Sequence, residues 1–177
     1  FPTGFPRLFA EARAREPLST AADIRFCGGV EEYNFPRLLW LLSRHRFRIP
    51  FDYEVSSHAV DNQPVEESLR SYLGRLTATR ACLNFTRRAS GQRMVVGRSF
   101  DVLATGRLLV EELSDDMQFY LRPGEHFLAF RTVEELEGLC ADFPGGTQGQ
   151  EIARCGAAYA QAHFSDAAVL RHLLTFV

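Results

Sequence analysis

Arg80-Ala-Cys-Leu-Asn-Phe85, a loop from Thr86 to Gly97, Arg98-Ser-Phe-Asp-Val-Leu-Ala-Thr105 closed by Gly106, and Leu108-Leu-Val110 follow one another without a break. The first run is short and apolar and reads as a buried strand. The twelve-residue loop carries Gly91 and Gly97, and the next segment has helical character with a glycine stop at Gly106. A second buried strand begins at Leu108. A strand, a helix and another short apolar strand are what a parallel sheet covered on both faces requires.

The same alternation extends outward. Upstream, Ile24-Arg-Phe-Cys27 reads as a strand ending in Gly28-Gly29, and Pro36 opens a helix over Arg37–Arg44. Arg48–Tyr53 reads as another strand, placed at an edge or bend by Pro50. A polar loop from Ser56 to Pro64 precedes a helix over Pro64–Leu76 with Val65, Leu69, Tyr72, Leu73 and Leu76 on one side. Downstream come a helix over Asp115–Leu121, a strand over Phe127–Phe130, and a helix that starts at the capping box Thr132-Val-Glu-Glu135 and runs to Asp142. Helices over Gln150–His163 and Ser165–Phe176 finish the chain. The fold class is therefore α/β, a doubly wound Rossmann-like parallel sheet with helices on both faces. Residues 1–22 form a lead-in or interdomain segment with one short helix, and 23–177 form the domain. Ligands of such sheets bind outside the carboxyl ends of the strands, at the switch point of strand order.

The chain has 177 residues, a formal net charge of −2 and 46% hydrophobic residues, which suits one globular domain. Near-neutrality argues against nucleic acid or an anionic membrane as partner, because both need a summed positive field. No apolar run reaches the roughly 20 residues of a membrane span, and the expected location is cytoplasmic. Every basic side chain is Arg, so a Walker A lysine, a pyridoxal Schiff base and a lysine general base are excluded. Cys27, Cys82, Cys140 and Cys155 lie far apart among small or apolar residues and are expected as reduced, buried thiols. His45, His58, His126, His163 and His172 lack metal-ligand spacing, and neither a metal nor a cofactor is expected.

Arg87, Arg88, Arg93, Arg98 and Arg107 face only Asp101 until Glu111-Glu112 begins. A basic, glycine-containing loop running into a helix start suits phosphate, since backbone amides and the helix dipole attract an anion and Arg adds forked donors. A merely solvated basic loop is the alternative. Gly28-Gly29 either lets the backbone approach a ligand or makes a plain tight turn. Glu125 and His126, in the turn before a strand, are candidates for a site rim, although Gly124-Glu125 reads first as that turn alone. The acidic run Glu111-Glu112-Leu-Ser-Asp-Asp116 reads as a polar strand-to-helix loop, without the ligand spacing of a calcium site.

The order of Arg98-Ser-Phe-Asp101-Val-Leu-Ala-Thr-Gly106, Phe119-Tyr-Leu-Arg-Pro-Gly124-Glu125-His-Phe-Leu-Ala-Phe130 and Thr132-Val-Glu-Glu-Leu136 resembles the C-terminal domain of group 1, CgeB-like glycosyltransferases of the GT-B fold. Ser71-Tyr-Leu73, Ala81-Cys-Leu-Asn84, Ile24–Gly28 with Arg37, Ile152-Ala-Arg-Cys-Gly156 and His163-Phe-Ser165 extend the similarity over residues 23–174. Exostosin-type transferases share part of the pattern. The resemblance implies a domain that holds a nucleoside diphosphate-sugar, with Arg98 and Asp101 near diphosphate and ribose and with Arg93, Gly97, Asn84 and Gly28 around them. Asp101 stands where that family carries Glu, and Arg93 where retaining relatives carry a second Glu. The resemblance also implies a transferase that is incomplete without an N-terminal acceptor domain, and leaves the catalytic residues unassigned. The alternative expectation is a degenerate, non-catalytic interaction or anion-binding module. A chain without its acceptor domain would expose an apolar patch at Leu170, Leu173, Leu174 and Phe176; the alternative, favoured for Leu170 and Leu173, is that they pack onto the sheet.

Overall fold

The computed structural model describes residues 6–17, 24–28, 52–55, 64–86, 90–141 and 146–175. The expected helix at 37–44, the loop at 56–63, and Arg87 and Arg88 lie outside the described residues.

Among the described residues five parallel strands make one sheet in the order β2-β1-β3-β4-β5. They are β1 Ile24–Gly28, β2 Asp52–Val55, β3 Ala81–Asn84, β4 Leu108–Glu112 and β5 Leu128–Phe130. The helices are α1 Pro6–Arg13, α2 Val65–Thr77, α3 Gly97–Ala104, α4 Asp115–Tyr120, α5 Val133–Ala141, α6 Thr147–Phe164 and α7 Asp166–Leu174. The expected doubly wound α/β architecture is the observed one. Every residue of β3 and β4 is buried, which explains their nearly continuous apolar character.

Alternate strand residues feed two cores. Cys27, Cys82 and Leu109 pack with α2, α3 and α4 through Leu73, Leu76, Val102, Leu103 and Met117. Ile24, Phe26, Ala81, Leu83, Leu108 and Val110 pack on the other face with Leu136, Cys140, Ile152 and Ala153. The lead-in helix is part of the first core: Leu8, Phe9 and Ala12 are buried in it. Arg13 fastens α1 by donating from Nε and Nη2 to the carbonyl of Ala104 at 3.1 and 3.0 Å and from Nη1 to Gln161 at 3.0 Å.

Several expectations need correction. The strand expected over Arg48–Tyr53 is described over Asp52–Val55, at an edge as Pro50 suggested, and residues 48–51 lie outside the described residues. Val65, in the first turn of α2, is 72% exposed and does not join the apolar side of that helix. Cys155 is only half-buried, whereas Cys27, Cys82 and Cys140 are buried as expected. Most consequentially, β4 continues through Glu111 and Glu112, which are fully buried rather than in a polar loop.

No helix among the described residues is long and apolar enough to cross a membrane. Leu170 and Leu174 are exposed on α7, while Leu173 and Phe176 have no described side-chain placement.

Gly156 lets α6 close on the body of the domain. A Cβ there would stand 2.4 Å from the carbonyl oxygen of His126 and 2.8 Å from Leu103 Cδ2. Backbone cannot yield as a side-chain tip can, so Gly156→Ala is expected to destabilise the fold by about 1–3 kcal/mol, the usual cost of overpacking. Urea denaturation measures it, and an unchanged midpoint would contradict this packing.

Candidate functional site

The parallel register pairs Asn84 with Glu111 at the carboxyl ends of β3 and β4. Paired residues share a face, and this face is covered by the first turn of α3. Ser99 there is fully buried over the pair. Ser99 Oγ donates to Glu111 Oε1 at 2.9 Å, and Asn84 Nδ2 donates to the same oxygen at 3.1 Å and to Ser99 Oγ at 3.0 Å. Glu111 Oε2 is buried without a hydrogen-bond partner among the described residues. Burial pushes the Glu111 carboxyl up to about 8, against the opposing pull of Ser99, Asn84 and the Arg98 charge, with Glu112 adding to the rise.

Arg98 stands beside this cluster. Its Nη1 donates to Asn84 Oδ1 at a long 3.4 Å, and Cζ lies 5.5 Å from the centre of the Phe26 ring. The guanidinium lies flat against the end of β1: a Cβ added to Gly28 would meet Nη2 at 2.3 Å and Cζ at 2.6 Å. Only glycine leaves that space. Arg98 Nε is buried with no hydrogen-bond partner among the described residues. The start of α3 carries no side-chain cap at Val96 and no acidic residue in its first turn. Gly97 opens the helix with nothing within 4 Å of where a Cβ would be. An uncapped helix start beside an arginine attracts an anion.

Arg93 lies to one side. Its Nε is 4.0 Å from Oε1 of buried Glu112, whose other oxygen accepts from the Thr86 amide at 3.2 Å. Gly91, Arg93, Ser114, Asp115 and Asp116 line an open polar cleft next to this pair. Asp101, one turn along α3 from Arg98, turns toward α2, where the Tyr72 hydroxyl donates to its Oδ2 at 3.0 Å. Burial raises the Asp101 carboxyl, while the Tyr72 hydrogen bond and Arg98 oppose the rise.

Of the candidates from sequence, Gly28, Asn84, Gly97 and Arg98 converge at the carboxyl ends of β1, β3 and β4. Arg93 borders the cluster, and Asp101 is engaged with Tyr72. Arg107 does not belong to the basic loop: it precedes β4, at the opposite end of the sheet, and donates to the carbonyls of Thr77, at 3.1 Å, and of Arg15. Glu125 and His126 precede β5 at that same far end, so they form no rim. His126 is buried, its ring stacked on Tyr159 at 4.2 Å with Nδ1 accepting from the Arg122 amide. Ser99 and Glu111 were missed, although a strand of the usual five residues from Leu108 would have taken in Glu111. No group of His, Cys, Asp and Glu among the described residues is arranged to hold a metal ion.

With strand order 2-1-3-4-5, chain direction switches between β1 and β3, and the Gly28, Asn84 and Arg98 cluster sits there. These features define an open, doubly wound α/β domain with a basic helix start at its switch point. The chain belongs to the glycosyl transferase-like family, which it matches over residues 12–175. Among curated protein sequences none matches the chain. In fold it is similar to a sucrose-phosphate synthase from Thermosynechococcus elongatus, at 16% identity and a TM-score of 0.59 over 97% of this chain and 49% of that one. It is likewise similar to HepE of Anabaena in complex with UDP, at 11% identity and a TM-score of 0.60 over 99% of this chain and 45% of the other. The C-terminal domain of a group 1 glycosyl transferase (LpcC) from Francisella tularensis matches at 8% identity and a TM-score of 0.56, over 91% of this chain and 93% of that domain. The chain thus spans about half the length of the first two proteins.

The buried carboxyl has a consequence for stability. Its folded value of about 8 exceeds the ordinary 4.5, so the folded state holds the proton more tightly. The contribution to stability is full below 4.5 and is lost as pH rises through about 8. Denaturation midpoints measured at successive pH values are expected to fall over this window in the wild type relative to Glu111→Gln. Parallel curves would contradict the assignment.

Proposed function

We propose that residues 23–177 are the donor-nucleotide domain of a GT-B glycosyltransferase and bind a nucleoside diphosphate-sugar at the carboxyl ends of β1, β3 and β4. The observation that carries this reading is the Arg98 guanidinium laid against Gly28 beside the uncapped start of α3, at the switch point of the sheet. Forked guanidinium donors and helix amides neutralise a diphosphate, both when it binds and when it departs with the bond to the sugar. Gly97 gives the phosphates an unobstructed approach to the helix start, and Arg93 borders it. In this reading Asp101, one turn further along the same helix, would exchange its hydrogen bond from Tyr72 for one from the ribose.

The group that takes the proton from the acceptor would come from an N-terminal acceptor domain. The half-length match to the sucrose-phosphate synthase and to HepE supports that division of labour. The free buried thiols of Cys82 and Cys140 favour a reducing, cytoplasmic setting.

A second reading, a non-catalytic anion-binding module, is favoured by the engagement of Asp101 with Tyr72. Isothermal titration with UDP, GDP and ADP separates the two. The donor domain is expected to bind at least one of them, and Arg98→Ala to weaken that binding by about 1.5–3 kcal/mol, the worth of hydrogen bonds to a charged group. Gly28→Ala is expected to fold, since the new methyl displaces only the tip of a flexible side chain, yet to lose affinity as Arg98→Ala does. No binding of any nucleoside diphosphate, or equal affinity in all three proteins, would contradict the donor reading.

A further inference from the structure

Glu111 is a carboxyl in the interior, beneath the surface on which the diphosphate is placed. Its burial is complete, yet among the described residues only one of its oxygens is satisfied. That oxygen accepts from both Ser99 and the Asn84 amide nitrogen. An amide has one donor end and one acceptor end. With Asn84 Nδ2 directed at Glu111 and Ser99, Oδ1 must face outward, where Arg98 Nη1 meets it. The buried carboxyl thus determines which way the amide faces, and the amide offers the guanidinium an acceptor at the end of β1.

We propose that Glu111 is a positioning residue for the diphosphate: through its hydrogen bonds from Ser99 and Asn84 it fixes the amide whose oxygen holds Arg98 at the end of β1. The inference rests on the donor reading. Complete burial and an Oε2 without a partner among the described residues favour the neutral carboxyl, which leaves the guanidinium charge to the ligand. The charged groups acting on it are Arg98 of α3 and Glu112 of its own strand. Asp101 of α3 is turned to Tyr72, β1 ends in Gly28, and β3 brings Asn84 and the Cys82 thiol, itself pushed up to about 12 by burial. Cys82 therefore does not titrate where Glu111 does. Ionised, Glu111 would set a negative charge beside Arg98 and oppose an incoming diphosphate, so ligand and proton bind cooperatively, and the coupling is reciprocal.

The test is calorimetric titration of the wild type and Glu111→Gln with UDP from pH 6.5 to 9.5, repeated at pH 8 in buffers of different ionisation enthalpy. Gln keeps an acceptor for Ser99 and Asn84 but cannot ionise. Relative to Glu111→Gln, which keeps only the nucleotide's own titration, wild-type affinity is expected to fall by about threefold to tenfold above pH 8, with extra proton uptake on binding at that pH. The Arg98 Nε nitrogen resonance of the free wild type is expected to titrate with a midpoint at about 8, and this reading needs neither variant nor ligand. Wild-type UDP binding that is indifferent to pH and takes up no proton would overturn the role of Glu111. An Arg98 resonance that titrates normally in a protein that binds no nucleotide at any pH would instead refute the donor reading.

Discussion

Pairing of β3 with β4, in register from Ala81 with Leu108 to Asn84 with Glu111, is the constraint from which the site follows. A parallel pair buried on both faces must be apolar along most of its length, and these two strands are, until their last residues. At the carboxyl ends the same register brings an amide and a carboxyl side by side in the interior. Polar groups buried there are tolerable only if they satisfy one another. Ser99 from α3 completes the arrangement, so the start of that helix is tied to the strand ends. Arg98, its neighbour in sequence, is thereby carried to the end of β1.

The glycines complete what the register begins. Gly28 leaves the end of β1 low enough for a guanidinium to lie on it, and Gly156 admits α6 against the carbonyl of His126 and the Leu103 side chain. Gly106, at a φ of +73°, turns the chain out of α3 toward β4 in a conformation that other residues rarely adopt. Each glycine therefore fixes a distance between elements, and the site inherits those distances.

The repeating frame was legible because its signals are local. Gly106 ends α3, and Thr132 Oγ1 accepts from the Glu135 amide at 3.2 Å as the capping-box spacing anticipates. That Gly28, Asn84, Gly97 and Arg98 gather at one end of the sheet could likewise be anticipated, because all four stand at strand ends or a helix start. Glu111 could not. A pair of glutamates between apolar and acidic stretches looks solvated, and what compensates Glu111 comes from Ser99 and Asn84, 12 and 27 residues earlier. Arg107 failed for the complementary reason: its sequence neighbours place it with the basic loop, whereas the direction of β4 sends it to the other end of the sheet. Asp101 illustrates the same limit, since its partner Tyr72 belongs to a different helix.

The central claim is that the diphosphate of a nucleotide sits at the start of α3 beside Arg98 and Gly28. Amide chemical-shift mapping by nuclear magnetic resonance during a UDP titration tests it most directly. The account predicts that the largest shifts fall on Gly28 and on residues Gly97 through Phe100, with little change at Arg122–His126 on the opposite end of the sheet. Shifts centred on that opposite end, or on α7, with the start of α3 unmoved, would contradict it.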